Sequence, residues 1–185
     1  MHTEAEWLTV NEAFKRHAGI DLLSTLDARG MPDRDSLARM SPVAFADGES
    51  WSDIFSRILV EKVEPHLGNG HLTVLYEYPA CEAALARTCA HDRRVAERFE
   101  LYASGVELAN GFGELTDPVE QRRRFEDEME IKVRVYGERY PIDEELLTAL
   151  AMMPPASGVA LGLDRVIMLA TGATHIDQVQ WVPVA

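Results

Sequence analysis

Two short stretches hold residue types able to act on a phosphorylated substrate. The first is Gly158-Val159-Ala160-Leu161-Gly162-Leu163-Asp164-Arg165, a glycine-spaced apolar run that ends on an Asp-Arg pair. Glycine has no Cβ, so a flat ligand or a second backbone can come close at positions 158 and 162. An arginine at the end of such a strand is a planar cation that stacks on an aromatic base or pairs with phosphate. Plain strand packing uses the same pattern, and both readings stand at this level. The run is neither a GxxxxGK[ST] P-loop nor a GxGxxG opening an early βα turn, so the two common nucleotide fingerprints are excluded.

The second stretch contains Glu107, Asn110, Phe112 and Glu114. Side chains alternate along a strand, so Glu107 and Leu108 face opposite ways, while Asn110, Phe112 and Glu114 share a face. Such carboxylates suit Mg²⁺, which takes oxygen ligands and often bridges protein to nucleotide phosphates. Glu114 also suits a substrate ammonium. The other reading is a solvated strand face, because 31 residues are acidic and charged side chains usually lie exposed.

The elements around these stretches are legible from caps and periodicity. Thr9 with Glu12 forms a capping box that starts a helix over about 10–17, with Val10, Ala13, Phe14 and His17 on one face and Gly19 as its stop. Residues 27–49 read as an irregular connector with a short helix near 35–40. Ser50 caps a helix over 51–63, with Asp53 in its first turn. Leu72 to Tyr78 reads as a strand. Residues 98–103, the turn Ser104-Gly105 and residues 106–112 read as a β-hairpin. Asp117 with Pro118 starts the longest helix, to about Tyr136, and a helix over 143–152 follows. A short strand around 159–161, a helix over 164–170 and a helical turn near Ile176 close the chain. Hairpin strands with helices between and after them predict one α+β domain over 1–185, with an antiparallel sheet flanked by helices.

Length and composition bound the function. The 185 residues suffice for one domain with a core, and 46% are apolar. No apolar run approaches the roughly 20 residues that span a membrane, and the start lacks a signal peptide's basic and apolar segments. The expectation is a cytoplasmic chain with no membrane partner. The net charge of −13 argues against a broad nucleic-acid face, so little or no tRNA binding is expected. Cys81 and Cys89 lack a CxxC or paired histidines and read as reduced packing thiols rather than a zinc site.

The run Val106 to Pro118 resembles the signature of class II lysyl-tRNA synthetases, close to E-x-x-N-x-[FY]-x-E-L-x-D, followed by a Gln-Arg-rich helix at 120–125. Gly158 to Arg165 resembles motif 3 of the class II synthetases, and Tyr78-Pro79 resembles the Tyr-Pro before the substrate pocket wall. Residues 94–102, 107–112 and 157–162 are similar to elongation factor P lysine ligases, a branch without an anticodon-binding domain. That branch carries alanine where lysyl-tRNA synthetases usually carry glycine, here Ala160, and one methyl in a pocket shifts discrimination by about 1–3 kcal/mol.

The resemblance implies the C-terminal portion of a class II aminoacyl-tRNA synthetase catalytic domain, with ATP, Mg²⁺ and lysine or a lysine-like amino acid as ligands and elongation factor P as acceptor. It implies that Glu107 holds Mg²⁺ beside ATP and that Leu108 lines the adenine region. Glu114 would bind the substrate ammonium and share the metal. Tyr78, Asn110, Phe112 and Ala160 would line the amino-acid pocket. Gly162 would lie against ATP, and Arg165 would stack on adenine or grip the γ-phosphate, which makes Glu107 and Arg165 the catalytic pair. Motifs 1 and 2 are not found; Arg16, Arg29, Arg34 and Arg39 lie in a helix or connector. An active ligase, a non-catalytic paralogue that binds nucleotide or amino acid, and a fragment of a lysyl-tRNA synthetase all stay open. Uncovered sheet edges suit a homodimer.

Overall fold

Helix starts are set by short polar side chains that satisfy free backbone N–H groups. The Thr9 hydroxyl accepts from the Glu12 N–H at 3.1 Å, and the Glu12 carboxylate accepts from the Thr9 N–H at 2.9 Å. This starts α1 (Val10–Ala18), which ends at Gly19 in the left-handed conformation. A Ser50–Asp53 box does the same for α3 (Trp51–Ile58). The predicted helix to Val63 continues beyond α3 as one wider π turn, Leu59–Val63. Between them lies α2 (Arg34–Met40), capped by Asp33.

The computed structural model describes residues 4–182. Its sheet has the order β1 (Glu6–Thr9), β2 (Thr73–Pro79), β3 (Val95–Ala103), β4 (Val106–Gly113), β5 (Ser157–Leu161). Pairings from β2 to β5 are antiparallel, as expected. The β1–β2 pairing is parallel, so the sheet is mixed. Strand β1 escapes the sequence reading because it is four residues long and runs directly into the cap of α1.

One core fills the space between β1–β3 and the helices α1 and α3. Leu8, Phe14, Ile54, Ile58, Leu75 and Tyr102 are among its fully buried side chains. Phe55 stacks on Phe14 and on Trp51, each with ring centroids 5.2 Å apart. The Trp51 indole N–H donates to the buried Thr25 hydroxyl at 3.0 Å, which lets a polar tip enter this apolar layer without penalty.

The C-terminal elements are α4 (Pro118–Tyr136), α5 (Glu144–Leu150) and α6 (Leu163–Thr171). Every residue of β5 is exposed, and α6 buries none. Helix α4 is fastened by one buried arginine. Arg124 donates to the carbonyls of Ala83 at 3.0 Å and Ala86 at 2.8 Å, and Glu120 accepts from its Nε at 2.9 Å. The Glu120 carboxyl is held down to about 2, first by the Arg123 guanidinium and then by Arg124, against the opposing effect of burial. A depressed carboxyl stabilises the fold above its unfolded pKa and loses that effect as pH falls through its folded pKa. The stability gap between wild type and Glu120→Gln, read from urea midpoints, should therefore be full above about pH 4.5 and close toward pH 2. A gap constant through that window would contradict the linkage.

Candidate functional site

The site is built on one face of β3, β4 and β5. Residues directly opposite each other in a ladder present their side chains to the same face. Arg98 pairs with Phe112 and Glu100 with Asn110, while on the other side Phe112 pairs with Gly158 and Asn110 with Ala160. Strict alternation would send Glu107 to the opposite face. The register slips at this point: Leu101 pairs with Ala109 but Tyr102 with Glu107, leaving Leu108 as the extra residue of a β-bulge. The bulge brings Glu107 onto the face that carries Asn110 and Phe112.

Glu100 is the hub of this face and was not singled out from sequence. Its side chain is buried and accepts from the Arg98 guanidinium at 2.7 Å, the Tyr102 hydroxyl at 2.7 Å and the Asn110 amide at 3.1 Å. Arg98 in turn lies over the Tyr78 ring, 4.4 Å from its centroid, and donates to the Glu82 carbonyl at 2.5 Å. Glu64, just beyond the π turn, also reaches in, with its carboxylate 3.3 Å from the Tyr102 hydroxyl. Burial first, and then repulsion from Glu100 and Glu107, raise the Glu64 carboxyl above its usual range. Burial, reinforced by Glu100, likewise holds the Tyr78 phenol well above the ordinary tyrosine range.

Glu107 and Arg165 meet at one end of the face. The guanidinium donates to the Glu107 carbonyl at 2.9 Å and to its carboxylate at 3.3 Å. Gly162 makes this possible. Its N–H donates to the Leu108 carbonyl at 2.8 Å, and a Cβ there would meet the Arg165 stem at 3.3 Å. Glu114 marks the other end: a Cβ on Gly158 would lie 2.8 Å from its carboxylate oxygen, so the glycine leaves room for that group over the sheet. Both ends lie on one face.

Glu107 and Glu114 are the carboxylates at the two ends of this face, and magnesium takes such oxygen ligands at about 2.0–2.1 Å. At the Glu107 end, Asn110 Oδ1 is buried and without a donor among the described residues. Phe112 packs on Ala83, Ala86 and Ala96, and the buried Tyr78 hydroxyl also has no hydrogen-bond partner among the described residues. Leu108 is buried beside Gly162, whereas Ala160 is exposed.

The family model for tRNA synthetases class II (D, K and N) matches residues 6–185. This chain belongs to that family. Members similar to it are named elongation factor P--(R)-beta-lysine ligase. The Klebsiella pneumoniae protein is 46% identical over 177 residues, which is 95% of this chain and 54% of the relative. The Edwardsiella ictaluri protein is 45% identical over the same shares. The Hamiltonella defensa protein is 41% identical over 182 residues, 97% of this chain and 55% of the relative. The chain thus spans about half the length of the relatives it matches. As a class II synthetase (D, K and N) domain, it has the α+β architecture read from its sequence, and no helix among its described residues is long and apolar enough to cross a membrane.

Proposed function

We propose that this chain supplies the amino-acid and nucleotide floor of an ATP-dependent ligase. That ligase forms an aminoacyl-adenylate from lysine or a lysine-like acid and passes the acyl group to a lysine amine of elongation factor P. The observation that carries the reading is the single face with an Arg-Glu pair at one end and a lone carboxylate over a glycine at the other. That spacing suits a nucleotide at Glu107, Gly162 and Arg165 and an ammonium-bearing acid toward Glu114, with Asn110, Phe112, Ala160 and Tyr78 between or beneath them. The names of the relatives support the same substrate and acceptor.

In this reading a carboxylate oxygen of the acid attacks the α-phosphorus of ATP, and pyrophosphate leaves. Arg165 supplies a fixed positive charge to the phosphates. Glu114 pairs with the substrate ammonium and sets which acids enter. Glu107 and Glu114 would hold Mg²⁺, which neutralises phosphate charge when bound. The acceptor amine then takes the acyl group and AMP departs. The net charge of −13 supports weak tRNA binding, and such a reaction belongs in the cytoplasm.

The wholly exposed β5 edge favours a second reading. In it the chain is a non-catalytic nucleotide-binding relative or a fragment of a lysyl-tRNA synthetase, and its edge needs another chain or a second copy to cover it. ATP–pyrophosphate exchange with lysine and with (R)-β-lysine separates the two. Exchange that requires the amino acid is the expected result. ATP binding without exchange supports the second reading, and neither binding nor exchange overturns both.

A further inference from the structure

Away from this face, β2 opposite the bulge in β3 and the loop before β3 bring three different metal-ligating side chains together. Ligand atoms of Glu77, Cys89 and His91 all lie within 4.8 Å of one another, and His91 Nε2 is 3.2 Å from Glu77 Oε1. Tetrahedral zinc, with bonds of about 2.0–2.3 Å, sets its ligands about 3.3–3.8 Å apart. The cluster is therefore close to that spacing, and the exposed His91 ring can make the remaining adjustment.

Two of the three positions are fixed by backbone. Glu77 has a positive φ of 57° at the point where one residue of β2 opposes two of β3. The Cys89 N–H donates to the Val95 carbonyl at 2.9 Å, and Thr88 bridges to Ala96, so Cys89 is held against the sheet. Nearby carboxylates are already engaged: Asp92 by Arg94 at 2.7 Å and Glu97 by Arg87 at 2.5 Å. Glu77 is the one acid here that contacts no arginine among the described residues.

We propose that Glu77, Cys89 and His91 form a three-ligand site for a zinc-type divalent cation, with water as the fourth ligand. A thiolate with an imidazole selects a borderline metal such as zinc over magnesium or calcium. The ion clamps the loop over residues 83–94 to β2. That loop supplies the Ala83, Ala84 and Ala86 carbonyls that hold Gln121 and Arg124 of α4. Binding displaces the Cys89 thiol proton to solvent and takes up neutral His91, so affinity falls as pH falls.

Cobalt(II) titration of the full, tag-free chain tests this. One ion per chain should bind with a near-ultraviolet thiolate-to-cobalt band. Cys89→Ser should lose the band, His91→Ala should weaken binding at least about tenfold, and Cys81→Ser should change neither. Zinc should raise the melting temperature of wild type and of Cys81→Ser but not of Cys89→Ser. No band in wild type overturns the site, as does an undiminished band in a Cys89→Ser protein that melts like the metal-free wild type.

Discussion

Glu100→Ala is expected to destabilise the chain by about 3–5 kcal/mol, the range for breaking a buried charge pair by removing one partner. The Glu100 carboxylate takes one hydrogen bond each from Arg98, Tyr102 and Asn110. Alanine leaves the Arg98 charge, with a side chain only 22% exposed, without its carboxylate, and leaves the buried Tyr102 hydroxyl with only its longer contact to Glu64 at 3.3 Å. Arg98 keeps its bond to the Glu82 carbonyl and its place over Tyr78, which puts the loss toward the lower end of the range. For a chain of this size the melting temperature should drop by roughly 10 °C. Glu100→Gln keeps a carbonyl oxygen as acceptor and removes the charge, so its cost should be about 1–2 kcal/mol. Urea midpoints at an unchanged slope would measure both. Equal midpoints for wild type and Glu100→Ala would show that the hub carries no stability.

How much of this was legible in sequence depends on how local the signal is. Caps are local. Thr9 with Glu12, Ser50 with Asp53, and Asp117 before Pro118 each mark a helix start where the structure has one. The hairpin around Ser104-Gly105 is local as well, and both residues take the positive φ that a tight turn requires. Cross-strand facts are not local. Glu100 is one of 31 acidic residues, and its role appears only when β3 and β4 are placed in register. Strict alternation misplaces Glu107 because nothing in Val106-Glu107-Leu108-Ala109 announces a bulge. Arg124 sits in an Arg-Arg-Arg run that looks solvated, yet the carbonyls of a loop some 40 residues earlier bury it. The reading of Cys81 and Cys89 holds in that both are free thiols. Burial pushes Cys81 up to about 12 and, with help from neighbouring carboxylates, Cys89 up to about 11. The partners Glu77 and His91 lie 12 residues before and two after Cys89, a spacing that fits no short zinc pattern.

Arg165→Ala should leave the fold almost untouched and remove most of the chemistry. In a protein that shows exchange, the expected fall in ATP–pyrophosphate exchange is about 10²–10³-fold, the typical cost of losing one preorganised donor to developing charge. Stability should change by no more than about 1 kcal/mol, because the pair with Glu107 is an exposed one, with side chains 46% and 34% accessible. The two readouts must therefore diverge, and the divergence carries the inference. Arg165 is held without a ligand by the Glu107 carbonyl and carboxylate, and its stem packs where Gly162 has no side chain. That arrangement presets the guanidinium before nucleotide arrives, so its contribution requires little reordering in the reaction. Arg165→Lys keeps the charge but loses the planar fork and the stacking surface, so it should recover only part of the activity. Unchanged exchange in Arg165→Ala would remove this end of the face from the reaction. A loss of exchange matched by loss of fold would reduce Arg165 to a structural tie for the bulge at Leu108.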